Sequence, residues 1–177
     1  MNQNRTICIL VVLLFAGCSN SQPVYNEEYS SLEPKDLIAF VGRKISVTEF
    51  EPENDEGLII LDLAFLAEYE VLQQFSGEKL PYRVKFEAYD HYGTPDFSKH
   101  DIALLYLFQD ENNYYHVKYV YDQVIQSEDD QWFTCGTKNY LGKNLLEPTR
   151  VSNNPKCING NRAIDMVNAR KTAGVFN

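Results

Sequence analysis

The sequence is poor in the residues and patterns on which many enzyme activities depend. Its 177 residues include three histidines, four cysteines and one tryptophan. It contains no Gly-x-Ser-x-Gly, no phosphate-cradling glycine loop and no Asp-x-Asp-x-Asp-Gly calcium pattern. Internal repeats and low-complexity tracts are also absent. We therefore expect a protein without enzyme activity and without a cofactor.

Positive charge is scarce as well. The chain has 16 Lys and Arg against 25 Asp and Glu, which gives a net charge of −9. Nucleic-acid backbones and anionic lipid surfaces attract proteins through clusters of Lys and Arg. We therefore expect no nucleic-acid partner and no membrane contact held by charge, and we expect a protein partner to be basic.

Apolar runs are short. The longest, residues 7–16, has ten residues, whereas a membrane-spanning helix needs roughly 20. The basic Arg5 precedes this run and small residues follow it, which is the pattern of a secretory signal. Residues 1–17 are therefore predicted to be a cleaved signal peptide.

The end of the run, Leu14-Phe15-Ala16-Gly17-Cys18, resembles the lipobox of bacterial lipoproteins. The resemblance implies that Cys18 is acylated and becomes the first residue of the mature chain. Ser19 in the next position implies an outer-membrane location, facing the periplasm. Two or more acyl chains suffice for stable anchoring. An ordinary cleaved signal without lipid is the alternative.

Two cysteines remain in the expected mature domain, Cys135 and Cys157. In an oxidising periplasm such a pair is expected to form a disulfide. The chain-entropy model gives about 3 kcal/mol for closing a loop of this length. The alternative, a metal site, would have two thiols and no neighbouring histidine. A disulfide would tie down the C-terminal segment.

The composition divides the mature chain into a tether and one domain. Residues 18–36 are polar and include Pro23 and Pro34, so they are predicted to link the lipid to the domain. Residues 37–177 form the predicted periplasmic domain. From residue 37 onward, apolar residues alternate with polar ones, which predicts a mainly β fold.

The alternation changes phase at Gly42. Ile38 and Phe40 define the apolar face before this glycine, and Ile45 and Val47 define it afterwards. A phase change at a glycine within a strand indicates a β-bulge, which bends strands at the corners of barrels.

Further strands are predicted over residues 59–71, 82–88, 102–108, 115–121 and 132–135. The first of these also contains helix-favouring residues, so a helix is its alternative. A short helix is predicted over residues 162–171, capped by Asn161, with Ile164 and Val167 facing inward and Gly174 beyond its end. A small closed antiparallel barrel of five or six strands with this C-terminal helix is the predicted fold, because closure removes exposed strand edges.

Three segments resemble the netrin-like, OB-type domains related to tissue inhibitors of metalloproteinases. They are Phe40-Val41-Gly42-Arg43-Lys44-Ile45, Tyr69-Glu70-Val71-Leu72 with Gly77 after it, and Leu104-Leu105-Tyr106-Leu107. The resemblance covers about residues 37–135 and implies an OB-like barrel. The inhibitors engage the protease zinc with an N-terminal Cys-x-Cys. Here Cys18 alone lies near that end, where lipid would block it, so the inhibitory mechanism is not implied.

One segment gathers groups that bind metals. Residues 90–101 contain two histidines and three aspartates, and imidazoles and carboxylates bind Zn²⁺ or related ions. The candidate ligands are Asp90, His91, His100 and Asp101. Their spacing matches no known ligand signature, and Asp is also an ordinary turn residue. A solvated turn is therefore the alternative.

Tyrosine is abundant, with 12 in the chain. Rigid amphipathic rings suit molecular recognition, but aromatic pairs also stabilise sheets. In the strand predicted over residues 115–121, alternation predicts one buried face, made of Tyr115, Val117, Tyr119 and Tyr121. The other face then offers Tyr114 and His116 as ligand contacts, and Tyr92, in the turn after residues 82–88, is a third candidate.

Three functions are compatible with these features. The first is a membrane-anchored, non-catalytic binding or interaction module, which could be an inhibitor or an immunity-type protein. The second is a metal-binding protein or metal-dependent enzyme that uses the His91/His100 segment. The third is a purely structural lipoprotein of the envelope.

Overall fold

The computed structural model describes residues 37–52, 61–110, 112–136 and 142–174. The predicted signal peptide, the lipidation site Cys18 and the tether lie outside these residues. Across the described part, the protein is mainly β with one C-terminal helix. No helix in these ranges combines the length and the apolar character needed to cross a membrane.

Six strands form the main sheet. They are β1 (Ile38–Phe50), β2 (Leu63–Ser76), β3 (Arg83–Asp90), β4 (Ile102–Asp110), β5 (Asn113–Gln126) and β6 (Trp132–Thr134). Neighbours run antiparallel in the order β3-β2-β1-β4-β5-β6, and β3 also pairs with β5 in parallel through Glu87 and Tyr115. The five predicted strands correspond to β2 to β6, so the alternative helix over residues 59–71 is excluded for its described part.

Three shorter elements complete the described fold. A 3-10 helix (Asp96–Lys99) lies between β3 and β4, and strands β7 (Thr149–Arg150) and β8 (Asn159–Gly160) pair with each other. The C-terminal helix α1 spans Ala163–Ala173.

The predicted β-bulge at Gly42 is confirmed. The pairing of β1 with β2 shifts register between Val41 and Gly42. A Cβ atom on Gly42 would lie 2.7 Å from Cε2 of Phe40 and 3.1 Å from Cδ1 of Tyr69. Glycine is therefore needed here because two aromatic rings lie against the backbone.

Both faces of the central strands are buried. Ile38 and Phe40 of β1 belong to a first cluster, which draws on β1 to β5 and on Phe97. Ala39 and Val41 belong to a second cluster on the opposite face, which also contains residues of β4, β5, β6 and α1. A strand that is covered on both faces carries apolar residues at consecutive positions, as in residues 37–41.

Helix α1 packs against the second cluster through residues spaced three and four apart. Its buried residues are Ala163, Met166, Val167 and Arg170. The predicted helix is confirmed in type and position, and Gly174 follows its end with φ of 72°. The predicted cap is wrong because Arg162 occupies the N-cap position. The carbonyl of Asn161 instead accepts a hydrogen bond from the Thr134 amide. Val167 is buried as predicted, and Ile164 is half-buried.

A buried ion pair joins α1 to β5. Arg170 Nη2 lies 2.6 Å from Asp122 Oδ1, and its Nε lies 3.1 Å from Oδ2 of the same carboxylate. The hydroxyl of Tyr106 donates to that Oδ2 at 2.8 Å. The exposed fractions of Arg170 and Asp122 are 5% and 9%, so the helix is held by charges that are shielded from water.

The predicted disulfide between Cys135 and Cys157 is present, with a Cα–Cα distance of 4.7 Å. It joins the chain just after β6 to the segment that precedes β8. Cys157 is buried. The bridge therefore restrains the segment from which α1 begins.

Candidate functional site

Strand β5 contains an irregularity that shapes the candidate site. His116 pairs with Leu107 of β4, yet Tyr121 pairs with Leu105, so several residues of β5 lie opposite Tyr106 alone. Within this stretch Tyr119 has a positive φ of 64°. A bulky residue in the left-handed region is strained, by about 1–3 kcal/mol, and such residues concentrate at functional sites.

The irregularity changes which residues of β5 are exposed. Tyr119, predicted to be buried, is 39% exposed, and His116, predicted to be a surface contact, is only 7% exposed. Tyr114, the other predicted contact, is half-buried against the first cluster. Tyr115 is half-buried and stacks on Phe108 at 5.4 Å between ring centroids. Val117 of the predicted inner face is buried, but the assignment fails for His116 and Tyr119 because both sides of β5 are covered and the bulge interrupts the alternation.

A cavity of about 60 Å³ lies between the end of β3, the segment after it and β5. Its lining consists of Tyr89, Asp90, Pro95, Asp96, Phe97, His116, Tyr119 and Tyr121. Pockets for drug-sized ligands measure roughly 300–1,000 Å³. This cavity is therefore suited to a small group, such as the end of one side chain or one or two water molecules.

His116 is the buried imidazole of this lining. Its ring centroid lies 4.4 Å from that of Phe97 and 6.1 Å from that of Phe86. The ring donates a hydrogen bond to the carbonyl of Val120, and Nε2 has no hydrogen-bond partner within the described residues. Nδ1 is therefore the ring nitrogen that contacts the backbone of Val120. Burial lowers the pKa of His116 to about 3, so the ring is neutral at pH 7.

Two carboxylates border the cavity. Asp90 is 9% exposed, and its Oδ1 accepts a hydrogen bond from the Tyr92 amide at 2.8 Å. Asp96 is exposed and pairs with Lys99 at 2.5 Å. The hydrogen bond to Asp96, together with the charges of Asp96 and Asp90, raises the pKa of Lys99. Desolvation, followed by the charge of Asp96, raises the pKa of Tyr121.

Three aromatic rings and one lysine lie beside the cavity, and we call these four residues, His91, Tyr92, Lys118 and Tyr119, the rim. The Tyr92 ring is 5.4 Å from the His91 ring and 6.0 Å from the Tyr119 ring, centroid to centroid. Tyr92 is 87% exposed. Because Tyr119 belongs to both the rim and the cavity lining, the two features form one continuous site.

Asp62 holds the rim in place. Its Oδ2 pairs with Lys118 Nζ at 2.6 Å, and its Oδ1 lies 3.5 Å from His91 Nδ1. The ammonium of Lys118 also lies 5.1 Å from the Tyr119 ring centroid, within the range of a cation–π interaction. The His91 amide is 3.4 Å from the Tyr119 hydroxyl oxygen, to which it donates. These contacts connect the segment after β3 to the strained part of β5.

The predicted metal ligands have different partners. His91 Nδ1 lies 3.0 Å from the carbonyl oxygen of Leu61, and the His100 ring lies 5.7 Å from that of Tyr121. The carboxylate of Asp101, at the far end of the segment, lies 3.8 Å from Lys44 Nζ. In the part of the chain that the structure covers, no group of three or more His, Cys, Asp or Glu is arranged to hold a metal ion.

The sequence identified part of this site. Tyr92, His91, Asp90 and His116 were all candidates, and the structure brings them around one cavity and its rim. The sequence did not indicate Tyr119 and Tyr121 as site residues. Strand β5 is rich in tyrosine, but its alternating pattern placed both of these residues on the predicted buried face. The sequence also missed Phe97, whose position depends on the 3-10 helix.

Comparison with known proteins finds no matching family model, no similar curated protein and no similar solved structure. No residue role can therefore be transferred from a relative. The candidate site is defined by its own geometry, that is, by the cavity, the buried imidazole and the rim.

Proposed function

We propose that this chain is a membrane-anchored periplasmic lipoprotein that binds a protein partner at the rim and carries out no catalysis. The observation that carries this proposal is the exposed Tyr92 ring, packed against Tyr119 beside the cavity that His116 lines. Rigid aromatic rings bury a large area at low cost in conformational entropy and are frequent hot spots of interfaces. The strained backbone of Tyr119, which keeps its ring partly exposed, supports the same function.

The fold that we propose for the domain is a closed OB-type barrel. The parallel pairing of β3 with β5 supports it, because the strands β1 to β5 then form a ring in the order β1-β2-β3-β5-β4, and β6 pairs with β5 as an additional strand. The bulge at Gly42 supplies the bend that a small barrel needs in a long strand.

We propose that Cys18 carries the lipid anchor and that the domain faces the periplasm from the outer membrane. The lipobox resemblance supports this location, and acyl chains make charge attraction to lipid unnecessary. The net charge of −9 favours a basic partner. An inhibitor or immunity-type protein that neutralises a basic target would have these properties.

Site-specific photocrosslinking in cells tests this function. A benzoylphenylalanine replaces Tyr92 in the full chain, and the matched control carries it at Tyr82, which is 67% exposed and lies at the other end of β3. We expect a discrete protein adduct from Tyr92 in the membrane fraction and none of the same mass from Tyr82. With Cys18→Ala, the chain should move to the soluble fraction. Equal adducts from both positions, or none from Tyr92, would contradict the proposal.

A further inference from the structure

We propose that residues 95–101, which we call the lid, open locally and expose two buried polar atoms that have no hydrogen-bond partner among the described residues. These atoms are the hydroxyl oxygen of Tyr69 and Nε2 of His116. The lid contains the 3-10 helix between β3 and β4, and Phe97 is its plug. The inference adds to the proposed function a motion that changes the cavity beside the rim.

Phe97 fastens the lid to the first cluster. It is the buried residue of the 3-10 helix, with an exposed fraction of 1%. Its ring lies 4.4 Å from the His116 ring, 6.0 Å from the Phe86 ring and 6.1 Å from the Tyr69 ring, centroid to centroid. The plug therefore lies against both of the residues that carry the unpartnered atoms.

Both unpartnered atoms lie close to the lid. An imidazole ring is small, so the short distance between its centroid and that of Phe97 brings Nε2 of His116 near the plug whichever way the ring is turned. For Tyr69, burial and then the charge of Asp101 raise the pKa of the hydroxyl. The hydroxyl is therefore within electrostatic reach of the last residue of the lid. An outward movement of the lid uncovers both atoms.

The two atoms destabilise the closed position of the lid. A buried hydroxyl or imidazole nitrogen without a hydrogen bond has lost its contacts with water and gained no replacement. Opening restores those contacts, which offsets part of the free energy needed to expose the Phe97 ring. Buried polar groups are nearly always paired in folded proteins, and an unpaired one is often tied to strain or function. The lid should therefore open more readily than the strands around it.

Lys44 of β1 holds the lid closed. Its ammonium donates to the carbonyl of Ser98 at 2.7 Å, and its amide donates to the carbonyl of Asp101 at 2.8 Å. The Lys44 side chain is 29% exposed, so water competes with Ser98 for the ammonium. The lid is therefore held to β1 by a charge that solvent reaches and by a backbone hydrogen bond.

Opening of the lid enlarges the cavity beside the rim. Pro95, Asp96 and Phe97 belong both to the lid and to the lining of this cavity of about 60 Å³. Tyr119 lines the same cavity and belongs to the rim. A partner at the rim meets a larger cavity when the lid is open, so its affinity depends on the position of the lid.

Amide hydrogen exchange of the purified full chain in detergent, followed by NMR at pH 7, tests the lid. The reporters are the amides of Ser98 and His100, which donate to carbonyls within the lid. The reference is the amide of Thr134, a buried residue of β6 that donates to the carbonyl of Asn161. After correction for intrinsic rates, we expect the reporters to exchange at least about 100-fold faster than the reference, as in local opening.

Tyr69→Phe is the decisive variant, because it removes the unpartnered hydroxyl and keeps the ring. It should slow exchange at both reporters by about tenfold, since the closed lid then buries one unpaired polar atom fewer. Tyr106→Phe is the matched control. The Tyr106 hydroxyl is equally buried but donates to Asp122 at 2.8 Å, so its loss should not slow the reporters. His116→Phe removes the other atom, should slow the reporters too, and serves as the second test if Tyr69→Phe does not fold.

Lys44→Met should have the opposite effect and speed exchange at the reporters by about fivefold or more, because it removes a charged hydrogen bond to the lid. Lys85→Met is its control, since the Lys85 ammonium lies 3.9 Å from Glu68 Oε2, and this variant should leave the reporters within about twofold of the wild type.

Three results would overturn the inference. They are exchange of the reporters at the rate of the reference, no slowing in either Tyr69→Phe or His116→Phe, and equal slowing by Tyr69→Phe and Tyr106→Phe. If the reporters behave as expected but Lys44→Met leaves the adduct from position 92 unchanged, the lid opens without regulating the partner. If the adduct forms but the reporters fail, this inference is wrong while the proposed function stands.

Discussion

Strand β5 carries two buried polar side chains, Asp122 and His116, and they differ in how completely they are paired. Asp122 lies under α1, where Arg170 and Tyr106 bind both of its oxygens. His116 lies against Phe97, where one ring nitrogen has a backbone partner and the other has none in the described ranges. Buried polar groups are nearly always satisfied in folded proteins, and an unsatisfied one is often tied to function. We infer that the first arrangement stabilises the fold and that the second leaves a neutral imidazole buried beside the rim.

The largest effect is expected at the paired site. Arg170→Met leaves the Asp122 carboxylate buried without its cation, which should lower the free energy of unfolding by about 3–5 kcal/mol. Urea denaturation measures the change. Adding Asp122→Leu should recover most of the loss, because replacing both members of a buried ion pair by apolar residues is often nearly neutral. A loss below about 1 kcal/mol in the single variant would show that the pair does not anchor the helix.

The His116 site should respond to pH. The pKa of His116 is about 3 in the folded chain against an ordinary 6.5, so unfolding takes up a proton between these values. The contribution of this residue to stability is complete above pH 6.5. It falls by about 1.4 kcal/mol for each pH unit as the pH decreases toward 3.

His116→Phe should remove this part of the pH dependence. Urea unfolding of both proteins at pH 7, 6, 5 and 4 gives the two slopes, and their difference isolates His116 from the carboxylates that both proteins share. Parallel curves would mean that the imidazole is not kept neutral by burial.

The smallest effect on stability is expected at the rim. Lys118→Ala removes the ion pair with Asp62, and a partly exposed pair of this kind contributes about 0–1 kcal/mol. The crosslink from position 92 should nevertheless weaken, because the Lys118 ammonium contacts the Tyr119 ring on which Tyr92 packs. Lys85→Ala is the control. Lys85 Nζ lies 3.9 Å from Glu68 Oε2, and this pair does not include a residue of the rim. If both variants reduced the crosslink to a similar extent, the rim would have no specific role in partner binding.

The two bulges differ in how far the sequence could predict them. Gly42 reveals its bulge, because a glycine that interrupts an alternating strand often marks a bulge or a close approach of other atoms to the backbone. The bulge at Tyr119 has no such mark, since tyrosine is a favoured strand residue and rarely takes a positive φ. Its conformation is imposed by the surrounding packing, so alternation assigned the wrong faces to His116 and Tyr119.

Other elements depended on local chemistry and were predictable. The alternation of β2 to β5 and the pair Cys135 and Cys157 required no knowledge of distant contacts. The cap of α1 did depend on them, because the Asn161 carbonyl is bound by the Thr134 amide from β6. The cavity likewise combines groups from β3, the segment after it and β5, and sequence spacing alone does not bring these groups together.

The central claim is that burial against Phe97 keeps the imidazole of His116 neutral beside the rim. The direct measurement is the pair of ¹⁵N chemical shifts of its imidazole in the uncomplexed protein between pH 7 and pH 5. The account predicts a proton on Nδ1, a lone pair on Nε2 and no titration in this interval. A ring that titrates near pH 6.5, or that carries its proton on Nε2, would contradict it.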